Sequence, residues 1–201
     1  MKRLMIVRHG ESEWNATRKL QGQADIALSE RGRSQAVALR ETVAALKPDA
    51  IVASDLVRAI ETARLLGFDD PVPDAGLREI DVGEWTGRPI ADIRANDAVG
   101  YQGWRAGTFT PPGGECWADF VSRTSASVMA NIGSHDRLLV VCHGGVIRAL
   151  LESLIGLPPK RIIPVGPASL TVLSERPVGS GNMRLELFNY SPLGPVMDAP
   201  D

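Results

Sequence analysis

The chain has 201 residues, 44% of them hydrophobic and 23% charged, with 22 Lys and Arg against 24 Asp and Glu and a formal charge of −2. That length fits one domain with its own core, and the balanced charge, drawn from 18 Arg and only 4 Lys, argues against a nucleic-acid binder. The composition also lies outside the disordered, collagen-like and membrane-spanning classes.

Taken in chain order, Met1-Lys2-Arg3 lead into only four apolar residues, Leu4 to Val7, which is too short for a signal peptide and reads as a buried strand. Ser29 caps a helix that buries Ala36, Leu39, Val43 and Leu46 and stops before Pro48. Ala50 to Ala53 form a second strand, and Asp55 caps a helix with Leu56, Ile60 and Ala63 inward. Residues 67–114, rich in Gly and Pro, read as an insertion beside the sheet and close to the functional edge. A helix begins near Glu115 and carries Trp117, Phe120 or Val121, Thr124, Val128 and Ile132 on one face. Leu138 to Cys142 form a third strand, followed by a helix from about Gly145 to Ile155 burying Ile147, Leu150, Leu151 and Leu154. Met183, Leu185 and Leu187 then alternate with polar residues, as in a half-exposed strand.

This order predicts a single α/β domain over residues 1–189, a three-layer α/β/α sandwich on a mostly parallel mixed sheet, with 190–201 as a flexible tail. Cys116 and Cys142 lack metal or redox spacing and read as reduced thiols of a cytoplasmic protein. No HxxxH or HExxH pair occurs among His9, His135 and His143, so no metal is expected.

In such a fold, ligands bind beyond the carboxyl ends of the strands. There the sequence places Arg8-His9-Gly10-Glu11-Ser12, then Ser54-Asp55-Leu56-Val57-Arg58, then His143-Gly144-Gly145. Two Arg and two His on one edge would bury uncompensated positive charge unless an anion sits among them, and the planar guanidinium fork matches phosphate. An imidazole beside that phosphate can attack phosphorus and form a phosphohistidine that water later cleaves. The leaving oxygen then needs an acid, for which Glu79 is the candidate, with Asp81, Glu84 and Glu11 as rivals. His135 reads as an exposed loop residue, Arg31, Arg33 and Arg40 as a solvated face, and the four Trp as core, with Trp104 placed to line a pocket mouth.

Arg8-His9-Gly10-Glu11-Ser12 with Trp14-Asn15, Ser54-Asp55-Leu56 with Arg58, Leu77-Arg78-Glu79 with Gly83-Glu84-Trp85-Thr86-Gly87, and Cys142-His143-Gly144-Gly145 resemble the histidine phosphatase superfamily, in its phosphoglycerate mutase-like branch. The four motifs occur in the family's order and span about residues 3–173. The resemblance implies His9 as the phosphorylated nucleophile and Arg8, Arg58 and His143 as the phosphate pocket. It selects Glu79 as proton donor. By the same match, Asn15, Gln21, Gly22 and Gly144 contact phosphate or substrate.

With fixed cations neutralising the phosphoryl group, Arg8, Arg58 and a protonated His143 serve a metal-independent phosphomonoesterase acting on a small phosphorylated metabolite, with no cofactor, nucleic acid or membrane partner. A cofactor-dependent phosphoglycerate mutase is the alternative within the family, and a non-catalytic phosphate-sensing or scaffold module the alternative outside it. The stretch after Glu79 lacks the insertion and basic Tyr-containing segment of the mutases, and Gly144-Gly145 follow His143 as in the phosphatase subgroup. Dimers are frequent in the family, so a homodimer is compatible with the resemblance.

Overall fold

The computed structural model describes residues 2–194. Six strands form one sheet: β1 (Arg3–Arg8), β2 (Ala50–Ser54), β3 (Val72–Asp74), β4 (Arg137–Cys142), β5 (Leu170–Glu175) and β6 (Met183–Tyr190), in the order β3-β2-β4-β1-β5-β6. β1, β2, β3 and β4 are mutually parallel, β5 is antiparallel to β1, and β6 is antiparallel to β5. Among the described residues, seven helices accompany the sheet: α1 (Glu13–Ala16), α2 (Glu30–Ala45), α3 (Val57–Leu65), α4 (Ile90–Asn96), α5 (Ala98–Ala106), α6 (Trp117–Ile132) and α7 (Gly144–Ile155).

The central strands are apolar throughout because both faces are covered. Leu4, Ile6, Leu138, Val140 and Cys142 pack with Phe120 and Val128 of α6 and Ile147, Leu150 and Leu151 of α7. The alternate residues Met5, Val7, Leu139 and Val141 pack with Leu39 and Val43 of α2 and Ala59 and Ala63 of α3. This is the expected sandwich, with β1 and β4 at its centre and their C-terminal ends side by side, Arg8 opposite Cys142.

Ser29 caps α2 as expected, accepting from Gly32 N at 3.0 Å. Asp55 does not cap α3. Its carboxylate binds Arg78 through two hydrogen bonds of 2.8 and 2.6 Å, and Asp25 Oδ1 takes the Val57 amide instead, at 2.7 Å. Residues 67–114 hold β3, α4, α5 and short 3₁₀ turns, so this stretch also supplies one edge of the sheet. β6 runs through Tyr190, one residue into the segment expected as a tail, and residues 195–201 of that segment lie outside the described residues. No helix among the described residues is long and apolar enough to cross a membrane.

Candidate active site

Three parallel strands deliver their next residues to one place. β1 ends in Arg8 and hands over to His9, β4 ends in Cys142 and hands over to His143, and β2 ends in Ser54, four residues before Arg58. Arg8, His9, Arg58 and His143 are all at least nine-tenths buried, and the two imidazole rings lie 5.1 Å apart. His9 is pinned by its backbone amide to Cys142 O at 2.9 Å. Gly10 serves the scaffold: a Cβ there would lie 2.3 Å from the Gly32 carbonyl oxygen, so the turn after His9 rests directly on the start of α2. Glu11 braces that turn by accepting from Ser29 Oγ at 2.9 Å.

Burial, then Arg58 and Arg8, push the His9 pKa well below 6.5, so the ring is neutral. Its Nδ1 sits 2.6 Å from Gly10 O, a carbonyl that can only accept, so Nδ1 carries the proton and Nε2 keeps a lone pair. A neutral imidazole with its second nitrogen bare is the form a nucleophile requires. Burial, followed by Arg58, His9 and Arg8, also drives the His143 pKa well below 6.5, so the protonated ring that the sequence suggests beside a phosphate requires the anion's charge to offset those cations. Arg58 donates to Ala24 O at 2.6 Å and Gly22 O at 2.9 Å, and burial pulls its pKa down to about 10.

Arg8, His9, Gln21, Gly22, Arg58, Glu79 and Gly144 line one cavity. Glu79 stands at the amino end of α7, its Oε2 accepting from Gly145 N at 2.9 Å and its Oε1 from Ile80 N at 2.8 Å. A Cβ on Gly145 would come within 2.1 Å of Oε1, so the carboxylate fits only because that residue is glycine. Two of the expected residues lie outside the lining. His143 sits behind it, beside His9, and Asn15 closes a capping box with Ser12, whose hydroxyl is 2.7 Å from Gln21 Oε1.

Trp104 reaches the cavity, as do Trp117 and Arg148, neither of which the sequence points out. Arg148 lies over the Trp117 ring at 5.4 Å and donates to Arg105 O at the end of α5. Arg123 is the other omission. It grips Glu115 with two bonds of 2.6 and 2.7 Å and the carbonyls of Gly76, Arg78 and Glu79 at 3.0, 2.9 and 3.0 Å, fixing the segment that presents Glu79. Only its neighbours in space reveal that role, since these carbonyls lie 44 to 47 residues back in the chain.

Two buried histidines side by side, flanked by two arginines, with His9 and Glu79 lining one cavity, define a phosphoryl-handling protein. The chain belongs to the histidine phosphatase superfamily, branch 1, whose family model matches residues 4–189. It is 38% identical to a glucosyl-3-phosphoglycerate phosphatase of Mycolicibacterium vanbaalenii over 171 residues, 79% of this chain and 76% of the relative. It is 34% identical to a probable phosphoglycerate mutase of Proteus mirabilis over 169 residues, 79% of this chain and 77% of the relative. Among solved structures, a mycobacterial glucosyl-3-phosphoglycerate phosphatase in complex with VO3 superposes with a TM-score of 0.86 at 37% identity, covering 95% of this chain and 100% of that one.

Proposed function

We propose that this chain is a phosphatase that hydrolyses a small phosphomonoester through a phosphohistidine on His9. The observation that carries the reading is the buried His9 ring, held with its Nδ1 2.6 Å from Gly10 O and lining a cavity together with Arg8 and Arg58. Nε2 attacks phosphorus, the bond from phosphorus to the substrate oxygen breaks, and Glu79 gives its proton to the departing alcohol. Glu79 then takes a proton from water as that water attacks the phosphohistidine, which frees His9 and releases inorganic phosphate. Arg8 and Arg58 offset the charge on the phosphoryl oxygens, and His143 joins them as the bound anion raises its affinity for a proton.

The intact set of side chains gives a non-catalytic scaffold no support, and the phosphatase relatives favour hydrolysis over mutase chemistry. The apolar cavity walls of Leu20, Ile80 and Val82, with Trp104 and Trp117, suit a leaving group larger than the phosphate itself. The two free cysteines suit a reducing, cytoplasmic setting. The test is a panel of sugar phosphates, phosphoglycerates and phosphopeptides, assayed for free phosphate with His9→Ala as control. A second arm supplies 3-phosphoglycerate with a bisphosphoglycerate primer. Release of phosphate supports hydrolysis, whereas conversion to the 2-isomer without release would overturn it in favour of the mutase.

A further inference from the structure

β2 ends on a residue to which the phosphate pocket gives no role so far. Ser54 is fully buried, and its Oγ stands 2.8 Å from Nε2 of His143. The same Oγ accepts the Leu56 amide at 3.4 Å. A serine hydroxyl has one proton and two lone pairs. If Nε2 carried a proton and donated it, the Ser54 proton would be buried with no acceptor, because no other hydrogen-bond partner meets Oγ among the described residues. If Ser54 donates, every group at this junction is satisfied except one: Nδ1 of His143, which is buried and has no partner among the described residues. Buried polar atoms are rarely left so, and each exception calls for an explanation, a catalytic role or a bound group among them.

We propose that Ser54 is a positioning residue that donates its hydroxyl proton to Nε2 and thereby holds His143 in the tautomer with its proton on Nδ1, an unclaimed donor for the phosphoryl group transferred at His9. The proposal rests on the phosphatase reading for the identity of the group that accepts from Nδ1. No bond to His143 forms or breaks in the reaction. Arg8, Arg58, His9 and Arg123 all oppose a second proton on this ring, so the tautomer of the neutral form decides which nitrogen can donate. When a bound phosphate dianion compensates those charges and His143 takes up that proton from solvent, the Ser54 hydroxyl turns to accept from Nε2–H and its own proton is then left without an acceptor among the described residues, so the contact satisfies every group only with the neutral Nδ1–H ring. A Ser54 that merely stabilised the turn into α3 through the Leu56 amide would leave the tautomer of His143 untouched.

The two roles separate by nitrogen NMR of 15N-histidine protein, since the chain has only three histidines and His135→Gln completes the assignment. In the wild type at neutral pH, His143 is expected to show a pyrrole-like Nδ1 and a pyridine-like Nε2. Ser54→Ala should lose that preference and reduce kcat by about 10- to 100-fold with a smaller change in KM, as outer-shell partners of functional histidines do. Ser54→Thr should restore both. A wild-type His143 protonated on Nε2 would overturn the proposal whatever the variants do, so the test survives an Ala variant that fails to fold. Retention of the Nδ1–H tautomer and full kcat in Ser54→Ala would overturn it too. A wild type that releases phosphate from none of the panel substrates would overturn the phosphatase reading instead, in an assay separate from the tautomer measurement.

Discussion

The cavity has two ends built in different ways. At the inner end, Arg8, His9, Ser54, Arg58 and His143 stand within four residues of the ends of β1, β2 and β4, so backbone pairing in the centre of the sheet sets their positions. At the outer end, Trp104, Trp117 and Arg148 come from α5, α6 and α7, and are held through side-chain contacts: Trp104 against Trp85 at 6.1 Å, Arg148 over Trp117 at 5.4 Å, Trp117 donating to Glu152 at 2.5 Å. The inner end is rigid because shifting it means shifting the sheet. The outer end changes by altering one side chain on one helix. Under the proposed function, the division would place the reaction on the fixed part of the fold and the choice of leaving group on the adjustable part.

Substitutions at the inner end should therefore damage kcat, and those at the outer end KM. The largest effect is expected for Arg58→Ala, a fall in kcat of about 10²- to 10³-fold in steady-state assays. Near-normal turnover would break the comparison, since Arg58 is the side chain that joins the α3 start to the Gly22 and Ala24 carbonyls beside the cavity. Gly145→Ala comes next. Its Cβ would displace the Glu79 carboxylate, and a displacement of about 1 Å should lower kcat by about 10- to 100-fold with the fold intact by circular dichroism.

Acid should weaken the inner end before the rest. Both histidines have folded pKa values below the usual 6.5, so the unfolded chain binds more protons than the folded one once pH falls below that value. Stability is complete above 6.5 and is lost as pH falls towards the depressed folded values. Each unit of depression contributes about 1.4 kcal/mol, or about 3–6 °C of Tm in a chain of this size. Thermal melts across that range should show the loss, His143→Asn should reduce it, and a pH-independent Tm would contradict it. The smallest effect is expected for Trp104→Leu, up to about tenfold in KM with kcat kept, and with a magnitude that differs between leaving groups. A loss confined to kcat would erase the distinction between the two ends.

The same division explains what was legible in the sequence. β1, β2 and β4 are continuous apolar runs, and the residues following them are the inner end, so strand and site are read together. β5 escapes notice because Thr171 and Ser174 are buried in it, interrupting the apolar signal that marks the other central strands. Asp55 has the sequence position of a cap but the spatial position of an Arg78 partner. Arg123 and Arg148 look like ordinary charges on helices, and their roles depend on carbonyls and rings contributed by distant segments. The charge state of His143 is a sum over Arg58, His9, Arg8 and its own burial, which no local pattern contains.

The central claim, that His9 carries the phosphoryl group, is most directly tested by rapid acid-free quench of a single turnover with a 32P-labelled phosphomonoester, followed by peptide mapping. The account predicts alkali-stable, acid-labile label on the peptide containing His9, absent from His9→Ala. Full turnover with no label on His9, or label retained in His9→Ala, would contradict it.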